Sequence, residues 1–262
     1  MYSAFAGIFK IVAMSIDLNC DMGEGMPNDA AIIPFITSAN IACGYHAGDR
    51  DTMRRTVELC LKHSVAVGAH PGFNDKLNFG RTNIQLGEDE LYELISKQLY
   101  LLDKICKEVK ATLHHVKPHG ALYNMAAKNQ TFSRTIATAV KDFNSKLIYY
   151  GLSGSYMIRE AKSIGLVTAS EVFADRTYQQ DGSLTPRTDS RALIKDKNEV
   201  LKQVLLMIMK GKVETVDKSC ISIQAETICI HGDGEFAVQF AQAIHQRLKQ
   251  EGISIQSIQP SK

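Results

Sequence analysis

Short apolar runs alternate with stretches of helical periodicity along this chain. The runs lie at 16–19, 39–42, 65–68, 113–117, 147–150, 166–169 and 227–230. Between them apolar residues recur at spacings of three and four, as in Thr52 to His63, Glu88 to Val109 and Glu235 to Glu251. The pattern predicts seven strands joined by amphipathic helices. Parallel strands need a crossover between them, so a β-then-α rhythm implies one parallel sheet with helices outside it.

Polar residues decide the shape of that sheet. Nearly every run ends in a polar cluster: Asp17, Asn19, Asp21 and Glu24; His46 and Asp49; His70; Lys117 and His119; Glu171, Asp175 and Arg176; His231 and Asp233. An open sheet concentrates its site at one switch point, whereas a barrel gathers all strand ends around one mouth. The expected class is therefore α/β, an irregular seven-stranded β/α barrel of the TIM-like kind. No linker, internal repeat or low-complexity stretch divides the chain, so residues 14–262 are expected to form a single barrel domain. Residues 172–191, with Gly182 and Pro186, read as a long irregular loop over the mouth.

Composition narrows the function classes. The 262 residues are 45% hydrophobic and 22% charged, with a formal net charge of +2. One large core is possible, and no electrostatic footprint for nucleic acid or a membrane surface is present. Six cysteines, at 20, 43, 60, 106, 220 and 229, form no C-x-x-C pair and lie in apolar segments. They read as reduced, mostly buried thiols, which points to the cytoplasm. Met1 to Ala13 lack a basic flank and the apolar length of a membrane span, and read as an N-terminal extension outside the fold.

Six constellations could carry chemistry. In the first, strand alternation sends Asp17, Asn19 and Asp21 to one face, where a carboxylate is costly unless paired or metal-bound; Glu24 follows in a Gly-rich turn. In the second, Asp49 is placed to cap a helix, which leaves His46 without a structural task. In the third, Pro71 fixes the direction in which His70 leaves its strand, and Arg81 soon after could bind a carboxylate with two donors. In the run from His114 to Asn124, His115 and Lys117 share a face, and an inward lysine needs a carboxylate or a substrate anion; His119 reaches the mouth. The fifth offers Glu171, Asp175 and Arg176, the last two readable as an ion pair that orders the loop. The sixth offers His231 and Asp233, with Asp233 also a candidate helix cap. No G-x-x-x-x-G-K-[ST] phosphate loop occurs, since Val213 follows Gly211-Lys212, so ATP, if used, is held differently or by another protein chain.

The segments DLNCDMGEG, NIACGYHAGD, GAHPGF, VKPHGALYN, EVFADRTY and ICIHGD occur in that order from Asp17 to Asp233. With them the chain closely resembles the LamB/YcsF family from Ile16 to about Gln250. The resemblance implies an irregular barrel akin to the glycoside hydrolase/deacetylase fold. It also implies ATP-dependent hydrolysis of 5-oxo-L-proline to L-glutamate, with partner subunits B and C. Phosphorylating the lactam oxygen would activate the ring, with Lys117 and a histidine stabilising charge on oxygen. The expected catalytic residues are Asp17, Asp21, Glu24, His46, His70, Lys117 and His119. Asn19, Arg81, Asn124, Glu171, Asp175, Arg176, His231 and Asp233 are expected to bind substrate. The related deacetylase fold uses one Asp and two His on a metal, so Asp21, His46 and His70 are the expected set for a divalent ion. Two other readings compete: a stand-alone metal-dependent amide or carbohydrate hydrolase, and a non-catalytic substrate-binding subunit.

Overall fold

The computed structural model describes residues 14–232, 234 and 236–259; the expected extension and Asp233 lie outside them. The strands are β1 (Ser15–Met22), β2 (Ser38–Ala42), β3 (Ala66–His70), β4 (Leu113–Val116), β5 (Ile148–Leu152), β6 (Thr168–Phe173), β7 (Lys212–Glu214), β8 (Cys220–Ser222), β9 (Thr227–Ile230) and β10 (Ser254–Ile255). Strands β1 to β6 pair in order, β6 pairs with β9, and β9 returns to β1, all in parallel. The result is a closed seven-stranded barrel. Strand β10 adds to the N-terminal end of β1, and β7 and β8 form a separate antiparallel pair.

The helices are α1 (Asp29–Ile32), α2 (Arg50–His63), α3 (Glu88–Glu108), α4 (Gly120–Lys128), α5 (Gln130–Phe143), α6 (Tyr156–Ser163), α7 (Lys197–Lys210) and α8 (Ala237–Gln250). Helix α2 starts where expected, because Asp49 Oδ1 accepts from the Thr52 amide at 2.7 Å. It buries Met53, Val57 and Cys60, and α3 buries Leu91, Ile95, Leu99, Leu102 and Ile105. Each such Leu or Ile contributes roughly 1.5–3 kcal/mol when fully buried.

All seven expected strands are present, with two displaced. The third run includes Val65, whose amide donates to Cys60 O, and the sixth includes Leu166, whose amide donates to Ala161 O. These two apolar residues close the C-terminal turns of α2 and α6 rather than opening strands. Strands β3 and β6 consequently begin later and run further, to His70 and Phe173.

Inside the barrel a polar column replaces the usual apolar layers. Asp17 accepts from Thr37 and Ser38, each at 2.7 Å, and from Thr227 at 2.5 Å. Asn19 donates to Thr227 Oγ1 at 2.7 Å, and Asn40 donates to both Asn19 and Asp21 at 2.8 Å. His115 contacts Asn40 Oδ1 at 2.9 Å and stacks on Tyr150, with ring centroids 4.2 Å apart. The β3–β4 register shifts between Val67 and Gly68, which makes room for this ring. A Cβ at Gly68 would lie 2.0 Å from His115 Nε2. Gly68→Ala is expected to cost about 1–3 kcal/mol in chemical unfolding, because the stacked, hydrogen-bonded imidazole cannot step aside. Unchanged stability would show that the ring has another place to go.

Candidate active site

The C-terminal ends of the strands open into a cavity of about 830 Å³. Asp21 on β1, His70 on β3, Lys117 after β4 and His231 after β9 reach it together with Glu24, Arg81, His119, Asn124 and Arg176. Of the described residues expected at the site, five do not line the cavity: His46 and Asp175 stand just behind it, against Glu24 and His231, and Asp17, Asn19 and Glu171 lie deeper. Asp17, 1% exposed, closes the far end of the polar column and borders a smaller 290 Å³ recess at the opposite barrel end. Asn19 is completely buried beneath Lys117, and Glu171 completely buried beside it.

Lys117 forms the cavity floor. Its ammonium lies 2.8 Å from Asp21 Oδ1, 3.2 Å from Asn19 Oδ1 and 3.1 Å from Cys229 Sγ. Glu171 Oε1 is also 2.8 Å away, an ionic contact without an aligned hydrogen bond. Burial works against the charge, but Asp21, Cys229 and Glu171 together hold the Lys117 pKa well above its ordinary value. Burial likewise opposes ionisation of Asp21; His70 and Lys117 outweigh it and hold that carboxyl well below its usual range. The floor is thus a fixed ammonium between two carboxylates.

A second group surrounds Glu24. Its Oε1 lies 3.2 Å from His46 Nε2, 3.4 Å from His119 Nδ1 and 3.8 Å from His70 Nε2. His70 Nδ1 donates to Lys117 O at 2.7 Å, and His119 Nε2 to Phe79 O at 2.9 Å. The remaining nitrogens, His70 Nε2 and His119 Nδ1, face each other at 2.9 Å. One hydrogen between them makes an N–H···N bond, and a cation beside them would use both as ligands. Burial, followed by the charge of His70, pushes the His46 pKa down to about 2; burial, His46 and His70 hold His119 well below its ordinary value. Neutral imidazoles whose far nitrogens donate to carbonyls are what a divalent ion requires. The far nitrogens of His70 and His119 make such bonds, whereas that of His46 is buried without a partner.

The donor set that fits an ion is therefore Glu24, His70 and His119, with His46 stacked on His119 at 3.7 Å between centroids. It differs from the set expected from sequence. Asp21 Oδ1 is committed to Lys117 and Asn40, although its Oδ2 lies 3.4 Å from His70 Nε2. Gly80 allows this packing: its φ is +63°, and a Cβ there would lie 2.7 Å from His46 Cβ. Asp21, Cys229 and His231 also converge, but the Lys117 ammonium already occupies the space between Asp21 and Cys229.

At the rim, His231 Nδ1 contacts the two Asp175 oxygens at 2.8 and 3.1 Å. Burial would raise the Asp175 carboxyl, yet the His231 charge and hydrogen bond keep it below its usual value. Asp175 thus orients an imidazole that lines the cavity; it forms no ion pair with Arg176, contrary to one of the two sequence readings. Arg176 is held instead by the carbonyls of Thr185 at 2.6 Å and Ala192 at 3.2 Å. The Arg81 guanidinium lies 4.9 Å from the Phe79 ring centroid. Sequence reasoning missed Cys229, Tyr123 and Arg187. Nothing in the local pattern marks Tyr123 or Arg187, but β9 alternation does place Cys229 on the inner face with Thr227.

Acid should destabilise this fold. His46 and His119 have depressed pKa values when folded, so below the ordinary value of 6.5 the unfolded chain binds protons that the native chain does not. Their contribution is intact above that pH and is lost as pH falls. Between about pH 7.5 and 5.5 the pair removes about 2–3 kcal/mol, opposed in sign by the raised carboxyl of Asp17. A thermal midpoint independent of pH over that range would show that the imidazoles are charged in the folded chain.

A closed parallel barrel with its titratable side chains gathered at the C-terminal mouth is a β/α barrel, and its fold is shared with deacetylase domains. A carbohydrate esterase of family 4 from Streptomyces lividans shares the fold at TM-score 0.51 and 12% identity, covering 95% of this chain and 98% of that one. Residues 16–262 match the LamB/YcsF family, and the chain belongs to it. It is 51% identical over 250 residues to the 5-oxoprolinase A subunit of Staphylococcus aureus strain Newman, covering 94% of this chain and all of that protein. The lactam utilization protein of Thermus thermophilus superposes with TM-score 0.87 at 38% identity, over 94% of this chain and 100% of that one. Among the described residues no helix is long and apolar enough to cross a membrane.

Proposed function

We propose that this chain is the A subunit of a cytoplasmic 5-oxoprolinase that opens 5-oxo-L-proline to L-glutamate with ATP, acting with partner subunits B and C. The observation that carries the reading is the charged floor: a Lys117 ammonium fixed between Asp21 and Glu171 beneath the cavity. It occurs in a chain half identical, end to end, to a protein named for this reaction.

The lactam amide is resonance-stabilised and its ring recloses readily, so ring opening needs both activation and a proton for the leaving nitrogen. Lys117 faces the oxygen on which charge develops. His231, oriented by Asp175, protonates the ring nitrogen as the C–N bond breaks. Glu24, among the imidazoles, accepts the proton of the attacking water, while Arg81, Asn124 and Arg176 orient the substrate carboxylate. Asp21, Asn19 and Glu171 hold Lys117 in place, and Asp17 anchors the column beneath them. A divalent ion held by Glu24, His70 and His119 would supply a Lewis acid and a more acidic water.

The test is glutamate release from 5-oxoproline and ATP by the purified chain, with and without subunits B and C. Release only with both partners is expected. The His/Glu cluster favours a second reading, a stand-alone metal-dependent hydrolase, and release by the chain alone without ATP would establish that instead. Cobalt(II) titration followed by absorption should give one site per chain, weakened about ten- to hundredfold in His70→Ala. Absence of saturable binding would remove the ion from the account.

A further inference from the structure

Two side chains beneath the cavity have a direction as well as a position. Asn40 on β2 and His115 on β4 are both completely buried. The amide hydrogens of Asn40 go to Asn19 Oδ1 and Asp21 Oδ1, each at 2.8 Å, and those same two oxygens accept from the Lys117 ammonium at 3.2 and 2.8 Å. Reversing the Asn40 amide would set its oxygen against a carbonyl and a carboxylate with no hydrogen between them, which a buried site penalises heavily. The observed orientation leaves Asn40 Oδ1 as an acceptor facing His115 Nε2 at 2.9 Å, so Nε2 carries a hydrogen. Burial, then the charges of His114 and Lys117, hold the His115 pKa well below its ordinary value. The ring is therefore neutral and its Nδ1 is bare, 3.1 Å from His114 Nδ1. His114 also reaches Ile258 O through Nε2 at 2.9 Å, and that end would accept the opposite tautomer of His115. The carboxylate end decides between them, because its hydrogen bonds are charge-assisted. The sheet itself gives way to this ring: the β3–β4 register shifts at Gly68, where any Cβ would strike the imidazole, and irregularities of this kind recur beside active sites.

We propose that His115 and Asn40 are positioning residues for the reaction at Lys117, a relay that aims the acceptors of its ammonium. The inference rests on the lactam reading above, in which Lys117 faces the oxygen where charge develops. An ammonium has three N–H donors, and Asp21, Asn19 and Cys229 take those of Lys117. Asn40 holds the first two acceptors from their other side, and His115 holds Asn40 in the orientation that does so. Neither residue lines the cavity, so both act through Asp21 and Asn19 and not on substrate. A second arm fixes Asn19 from β9: Thr227 donates its hydroxyl to Asp17, and its oxygen accepts from Asn19 Nδ2 at 2.7 Å. Loss of the His115 hydrogen frees the Asn40 amide to turn. Both donors are then withdrawn, and the Asp21 carboxylate shifts together with the ammonium it aims at the substrate oxygen.

Two measurements test the relay. Imidazole nitrogen chemical shifts of the purified chain at neutral pH report the tautomer, and His115 is expected as a neutral ring with its hydrogen on Nε2. A ring protonated on Nδ1 alone, or a charged ring, overturns the proposal. The second measurement is glutamate release by the chain assembled with subunits B and C. His115→Phe keeps an aromatic ring against Tyr150 and removes both nitrogens; it should lower kcat about ten- to hundredfold with KM little changed. His115→Gln, which restores an N–H donor toward Asn40, should recover most of that loss. A merely structural role predicts wild-type kcat per folded molecule in both variants, and that result overturns the proposal, as does a change confined to KM or a loss that His115→Gln leaves unrepaired. Should His115→Phe fail to fold, Asn40→Ala carries the same expected loss of kcat, and wild-type kcat there overturns the proposal. Failure of the assembled wild type to release glutamate would defeat the lactam reading, and the tautomer would then decide the relay by itself.

Discussion

Lys117→Met should abolish turnover and destabilise the chain at once. The substitution leaves Asp21 and Glu171 facing each other in the space that the ammonium filled, both buried. Breaking a buried pair by removing one partner costs about 3–5 kcal/mol, because the remaining charge cannot be rehydrated. Losing a charge placed against a developing oxyanion costs about 10²–10³-fold in kcat. The two effects can be separated. The double variant Lys117→Met/Glu171→Gln removes the uncompensated carboxylate and should recover much of the stability while remaining inactive. A double variant as active as the wild type would mean that the ammonium serves the fold alone. Lys117→Arg should also fail, since a planar fork does not fit between Asp21, Glu171 and Asn19 as a compact ammonium does.

His231→Gln and Asp175→Asn should each lower kcat by about 10²–10⁴-fold with little change in stability. His231 is a rim residue, and its removal leaves Asp175 next to the Arg176 charge rather than stranded. General acid catalysis of C–N cleavage contributes in that range. Asp175→Asn should mimic loss of the imidazole, because an amide no longer holds the Nδ1–H of the doubly protonated ring whose Nε2–H, facing the cavity, is the proton delivered. The diagnostic is the pH profile of kcat/KM: the limb reporting the acid should vanish in His231→Gln and shift in Asp175→Asn. Activity within tenfold of the wild type in both variants would assign protonation of the nitrogen to another group.

The inner face of β1 was legible because alternation is geometric: Asp17, Asn19 and Asp21 could not avoid sharing a side. The same rule placed His115 and Lys117 together. What alternation could not supply is depth along the barrel. Asp17 and Asp21 look alike in the chain, yet four residues of strand separate the bottom of the column from the floor of the cavity. Asn40 was equally readable on β2 but resembles a filler polar residue until its hydrogen bonds to Asn19 and Asp21 are seen. The candidate ion cluster keeps the expected His46 and His70 and adds Glu24 and His119; the carbonyl that orients His119 comes from a loop reversal at Phe79 and Gly80, with φ of 56° and 63°, which no periodicity reports. The β7–β8 pair and β10 are too short to raise a periodic signal.

The β1–β9 seam has a consequence for how the chain comes to be made. Strand β1 waits for a partner more than two hundred positions away: Asn19 bonds to Thr227 across a separation of 208 residues. At the roughly 5–20 residues per second of a working ribosome, that edge remains unpaired for roughly ten to forty seconds. Throughout that interval the nascent sheet presents open hydrogen-bonding groups on one side and its polar column to water on the other. Synthesis in cells should therefore depend on chaperone occupancy more steeply than the finished barrel's stability would suggest, and slowing translation upstream of β9 should lower yield rather than raise it.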